Sequence, residues 1–177
     1  MDRLWSPWRS NYIKSFSEKN DDNTCVFCSN AELDVNSDDN LLVYKGRLSY
    51  VMLNLYPYNN GHLLVIPNYH FSDFTAILPD EMEEMMSLVQ LSIKALQKTM
   101  SAQGFNFGAN LGRAAGAGID SHLHFHIVPR WVGDINFMPV IGDVKVISQD
   151  LLQTKKELVK AFETILNETK QDNPAGR

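Results

Sequence analysis

Cysteine is scarce: the 177-residue chain holds two, both in the unit Cys25-Val26-Phe27-Cys28. With no other thiol to bridge to, a disulfide-stapled scaffold is excluded, and a reducing compartment, the cytoplasm, is the expected setting. Long apolar runs are lacking too. The longest aliphatic stretch, Leu63-Leu64-Val65-Ile66, is far too short to span a bilayer. No apolar segment follows Met1-Asp2-Arg3-Leu4-Trp5, so no export signal and no membrane partner are expected. Nor is there a surplus of positive charge. Sixteen Lys and Arg against 21 Asp and Glu give a net charge of −5, which argues against a nucleic-acid partner.

What is present is an ordinary globular composition, 44% hydrophobic and 21% charged. A chain of this length buries roughly 70% of the surface its unfolded form exposes, so it needs no metal merely to fold. Its charge is uneven. Seven acids (Glu18, Asp21, Asp22, Glu32, Asp34, Asp38, Asp39) stand against Lys19 alone between positions 18 and 39. The rest of the chain is close to neutral, so anionic small substrates are not excluded. With no internal repeat and no long linker, one domain is expected over 1–170. Within it, 1–24 reads as an N-terminal extension and 29–40 as a solvated acidic loop; 171–177 reads as a disordered tail.

The pattern predicts short strands at Leu41–Tyr44 and Ser49–Asn54, with Lys45-Gly46-Arg47 turning between them. Turn chemistry at Tyr56-Pro57-Tyr58-Asn59-Asn60-Gly61 precedes a compact strand, His62–Ile66, closed by Pro67. Met82, Met85, Met86, Val89, Ile93, Leu96 and Met100 recur at helical spacing, with Asp80 as cap and Gly104 as terminator. That methionine stripe reads as core. Further strands are expected at Phe105–Leu111, at His122–Val128 (ended by Pro129) and at Val144–Ile147. Ser148 would cap a last helix through Leu166 that frays from Asn167. Strands first, one helix between them and one after suggest α+β, with a mainly antiparallel sheet covered by helices.

Three of the five histidines fall at alternate positions in His122-Leu123-His124-Phe125-His126. On a strand such residues share a face, each about 6.6 Å from the next. Leu123, Phe125 and Ile127 would face a core. Two chemistries suit three aligned imidazoles: a catalytic zinc with a bound water, or attack on phosphorus by a neutral imidazole. A free histidine, with a pKa near 6.5, is largely neutral at pH 7. If Nδ1–H of His124 donates to a backbone carbonyl, Nε2 keeps the lone pair for attack. Cys25-x-x-Cys28 is open between zinc and redox chemistry, though the βαβ setting of a redox pair is not evident.

The run His122–Val128 resembles the signature of the histidine triad (HIT) superfamily of nucleotidyl transferases and hydrolases, and Gly61–Pro67 resembles its upstream strand. Leu4–Ile13 and Pro129–Phe137 resemble segments of the bacterial diadenosine tetraphosphate phosphorylase-like branch. The resemblance implies a HIT-like fold in which two protomers form a homodimer. It implies His124 as nucleophile, His126 on the α-phosphate and His62 in support. Asn54 is implied at the ribose, and Asn110 at the phosphates or leaving group. The loop Gly112–Gly118 lets backbone N–H groups approach a polyphosphate. Many members carry Gly-Gln-Ser or Gly-Gln-Thr before the triad, whereas this chain has Ala117-Gly118-Ile119. Backbone amides around Gly118, Ser121 or Arg113 would then supply those contacts, which fits the phosphorylase-like branch. Arg113 and Arg130 are candidates for holding inorganic phosphate as acceptor. Some triad proteins also close a zinc site, implied here on Cys25, Cys28, His70 and His122. The expected activity is cleavage of a dinucleoside polyphosphate with phosphate as acceptor. Hydrolysis by water, of a dinucleoside polyphosphate or a nucleoside phosphoramidate, is the rival; a catalytic zinc enzyme or a nucleotide-binding protein with little turnover are the other readings. Leu53 and Leu64 are candidates for a base pocket.

Overall fold

Short apolar runs, some continuous and some alternating, make five short strands, and the computed structural model, which describes residues 25–134 and 149–172, joins them into one sheet. The strands are β1 (Leu42–Lys45), β2 (Ser49–Leu53), β3 (Leu63–Pro67), β4 (Gly104–Gly108) and β5 (Phe125–Arg130). Their order is β1-β2-β3-β5-β4, with every pairing antiparallel. Among the described residues three α-helices accompany them: α1 (Val26–Ala31), α2 (Pro79–Met100) and α3 (Leu151–Asp172). The α+β expectation is met by this arrangement.

The two-residue period of the strands sorts side chains between two clusters. Val43, Val51, Leu53, Leu63, Val65, Phe125 and Ile127 lie in the larger one, with Met85, Leu96, Leu158 and Phe162 from α2 and α3. The alternate positions Leu42, Tyr50, Met52, Leu64 and Ile66 join Phe27 and Ala31 of α1 in a smaller one. The methionine stripe is core: Met85 is buried, and Met82, Met86 and Met100 pack against the same cluster. On β5 the alternation sends Phe125 and Ile127 into the larger core. His124 is turned to the other face, where Phe27 meets it at a ring-centroid distance of 5.0 Å.

Several boundaries differ from the sequence expectation. The cap of α2 is Leu78, not Asp80, and Pro79 takes the first helical position, where a missing N–H costs nothing. Glu81 reaches back to accept the Leu78 N–H at 3.0 Å. Ser101, in a left-handed conformation, ends α2, and Gly104 instead opens β4, paired with Arg130. β4 stops at Gly108 rather than Leu111. β5 begins at Phe125, so His122 and His124 precede the ladder, and it runs through Pro129 to Arg130. Pro129 is tolerated because its missing N–H would lie on the same side as its carbonyl, which accepts from Asn59 rather than from β4, and on that side pairing with β3 has ended at Ile127. Residues 29–31 of the expected acidic loop are helical. Asp150 caps α3, accepting from Leu152 and Gln153 N–H, and the helix continues past Asn167 to Asp172. The segment Leu4–Ile13, the extension 1–24, the strand Val144–Ile147, the cap Ser148 and residues 135–137 and 173–177 lie outside the described residues.

Candidate active site

Two adjoining cavities open on the sheet face that carries His124. They share Phe27, Asn54, Leu64 and Ile119. The smaller, about 70 Å³, is bordered by His124, His126, Asn110, Tyr56, Tyr58 and Gly118. The larger, about 220 Å³, is mostly apolar, with Val26, Leu41, Met52 and Leu55, and is edged by Asn30 and Asp39. Leu64 lines both, while Leu53 lies in the larger core on the opposite face and is no part of either.

Hydrogen bonds fix which nitrogen of each imidazole holds the proton. His124 Nδ1 is 2.8 Å from the His122 carbonyl oxygen, which can only accept. The proton therefore sits on Nδ1, and Nε2 keeps its lone pair. Burial holds the His124 pKa below the ordinary value, opposed by that same hydrogen bond. His62 is fully buried, and its Nδ1 accepts the Tyr58 N–H at 3.0 Å. Its Nε2–H therefore donates to His126 Nδ1, 3.0 Å away. His126 must then carry its own proton on Nε2, a buried atom with no partner among the described protein groups. Burial, and secondarily His124, push the His126 pKa down to about 4. The pair thus presents one lone pair and one N–H donor, with ring centroids 4.8 Å apart. An electrophilic phosphorus and its oxygens need those two functions.

Asn54 holds the turn before His62: its Oδ1 accepts the Tyr56 N–H, and its Nδ2 lies 3.3 Å from His62 Nδ1. Gly61 closes that turn at φ +73, where a Cβ would stand 2.6 Å from Met100 Sδ. Asn110 and Gly118 border the smaller cavity, whereas Ser121 is exposed and is not among its lining residues. The arginines expected at an acceptor phosphate are engaged elsewhere. Arg113 pairs with Asp120 at 2.7 Å. Arg130 spends Nε and Nη2 on Asp134 and Nη1 on Asn106. Sequence reasoning missed Phe27, Tyr56, Tyr58 and Ile119. The two tyrosines so close before His62 were a usable signal; Phe27 was hidden inside the cysteine unit.

His122 turns away from the other two histidines. Its Nε2–H donates to the Pro67 carbonyl at 3.0 Å, which leaves Nδ1 unprotonated, 3.3 Å from Cys25 Sγ and 3.6 Å from Cys28 Sγ. His70 Nδ1 is 3.4 Å from Cys28 Sγ. The ligand atoms of Cys25, Cys28, His70 and His122 all lie within 4.8 Å of one another. Tetrahedral zinc, with sulfur about 2.3 Å and nitrogen about 2.0 Å away, sets S···N edges of about 3.5 Å, so the donor set fits. A carbonyl on the far nitrogen of a ligating histidine is the usual support. Burial pushes the Cys28 thiol up, with Cys25 adding to it, and presses His122 down to about 4. His124 and His126 are not part of this cluster, so a zinc held by the three alternate histidines does not match the geometry.

Residues 36–132 match the family model described as HIT domain. The chain is 39% identical over 161 residues to a Mycobacterium tuberculosis protein named AP-4-A phosphorylase, covering 89% of this chain and 83% of that one. Among solved structures, a Zn-bound histidine triad family protein from Mycobacterium smegmatis superposes with a TM-score of 0.66 at 26% identity, over 82% of this chain and 97% of that one. A hypothetical histidine triad nucleotide-binding protein from Sulfolobus tokodaii gives 0.63 at 30% identity, over 80% and 93%.

Proposed function

The chain belongs to the HIT domain family, and from that premise we propose that it cleaves dinucleoside polyphosphates, diadenosine tetraphosphate among them, with inorganic phosphate as acceptor. The observation that carries the reading is the proton arrangement of His124 and His126 at one cavity. His124 Nε2 forms a bond to the α-phosphorus as the P–O bond to the nucleoside triphosphate leaving group breaks. His126 Nε2–H donates to a phosphate oxygen. Phosphate then attacks the same phosphorus, breaking the N–P bond and releasing a nucleoside diphosphate. The larger apolar cavity, reached past Phe27 and Leu64, suits a base, while Asn110 and the backbone around Gly118 suit the polyphosphate. The relative named AP-4-A phosphorylase supports phosphate as acceptor.

Zinc belongs to the same reading, held by Cys25, Cys28, His70 and His122. With four protein ligands the ion would be structural, tying α1 to the segment that carries His124. A homodimer is also part of it, since β4 lies at the sheet edge and leaves Phe107 48% exposed.

Separating the products of diadenosine tetraphosphate with and without phosphate tests the function. ADP and ATP formed only with phosphate are expected; AMP and ATP regardless of phosphate would make the protein a hydrolase. His124→Ala is expected to lower turnover on the order of 10⁴-fold or more. Retained turnover in that variant would end the covalent mechanism.

A further inference from the structure

The segment Pro129–Asp134 takes no direct part in the chemistry proposed above, yet it is knotted to the histidines. Asp134 Oδ2 accepts from three donors: Arg130 Nε at 2.7 Å, Asn59 Nδ2 at 3.0 Å and the Trp131 N–H at 3.1 Å. Its other oxygen accepts Arg130 Nη2 at 2.8 Å. Gly133, at φ +83, lets the chain turn so that Asp134 N–H reaches the Trp131 carbonyl. The Asp134 side chain is only 11% exposed. Asn59 also donates to the Pro129 carbonyl at 3.2 Å, so the turn over Tyr56–Gly61 is fastened at two points, to the end of β5 and to the turn that follows it.

That turn decides the proton positions. Tyr58 supplies the N–H that His62 Nδ1 accepts. The Asn59 carbonyl accepts the His62 N–H at 3.2 Å. From His62 the order passes through Nε2–H to His126 Nδ1, and so to the proton on His126 Nε2. Tyr58 also stacks on the His126 ring, with centroids 5.8 Å apart and planes 20° from parallel.

We propose that Asp134 and Asn59 are positioning residues that hold the His62–His126 relay in the one tautomer able to donate a hydrogen bond into the cavity. Asp134 acts through Asn59, and Asn59 through the Tyr58 amide; neither borders the cavity. The catalytic consequence rests on the proposed nucleotidyl transfer, whereas the tautomer itself does not.

The test is imidazole ¹⁵N NMR on the full chain, paired with steady-state kinetics on diadenosine tetraphosphate, for Asn59→Ala and Asp134→Ala. Wild type is expected to show His62 and His126 both protonated at Nε2 alone. Asn59→Ala is expected to remain folded by circular dichroism while both histidines move toward averaged tautomers. Its kcat should fall about 10- to 100-fold, as for a misplacement far from the chemistry, with KM little changed. Wild-type tautomers in Asn59→Ala would overturn the proposal, as would loss of its fold, which would make the knot purely structural. Should Asp134→Ala unfold, Asn59→Ala decides. If the protein cleaves no dinucleoside polyphosphate, the NMR arm still judges the relay, so the two failures are told apart.

Discussion

At His126 the pKa pushed down to about 4 sets a pH window. Unfolded, the side chain takes up a proton near pH 6.5. Folded, it resists until about pH 4, so the unfolded state holds more protons between those limits. This contribution is complete above about pH 6.5 and is lost as pH falls through 4, every tenfold difference in proton affinity between the two states counting for about 1.4 kcal/mol. A protonated Nδ1 could not accept from His62, so the relay fails in the same range. The His126 Cε1 proton resonance is expected to stay flat from pH 8 to 5, with a midpoint near 4; a midpoint above 6 would contradict the burial. At this scale the triad was legible because strand period alone separates imidazoles from Phe125 and Ile127. The tautomers were not, since they depend on the adjacent Tyr58 and Asn59 meeting Asp134, 75 residues further along the chain and brought near by the ladder.

Among the elements, α3 does more than cover the core. Lys155 on it is buried, and its ammonium donates to the carbonyls of Ser37 and Asn40 and to Asn40 Oδ1. Burial lowers its pKa, opposed by Asp38 and Asp34. The acidic segment expected to be merely solvated is therefore pinned, and with it Asp39, Asn40 and Leu41 at the larger cavity. Lys155→Met leaves those carbonyls without their donor, and is expected to cost about 2 kcal/mol in urea denaturation and to weaken nucleotide binding. An unchanged midpoint and affinity would refute this. Helix and strand identities were readable from period, but their ends were not. Leu78 gives no side-chain sign that it caps α2; Pro79 and Glu81 do that work around it. Pro129 looked like a stop because a sequence does not reveal which flank of β5 has lost its neighbour.

For the whole molecule, the proposed zinc joins chain segments 25–28, 70 and 122, which no other covalent or metal link unites among the described residues. An ion at 100 times its dissociation constant stabilises by about 2.7 kcal/mol. For a protein of this size that corresponds to roughly 5–10 °C in melting temperature. Metal analysis is expected to find one zinc per chain, and Cys25→Ser or chelation to lower the melting temperature by about that much. A metal-free protein with the same melting temperature in chelator would refute the site. The fold was legible in outline because two-residue and 3.6-residue periods are written in single stretches. The cavity was not, because Phe27, Tyr58 and Ile119 meet only after the sheet has closed.

The alternation along β5 has an evolutionary corollary. Phe125 and Ile127 answer to the larger core, His126 to the cavity, within one six-residue strand. Substitutions at the first two are expected to act on folding strength, whereas under the proposed mechanism substitution at the third is expected to act on the chemistry. Selection on persistence and selection on turnover thus read different letters of one short word. A lineage can re-size its core without renegotiating its reaction, but the loss of a single residue between His124 and His126 would exchange the two readings at once.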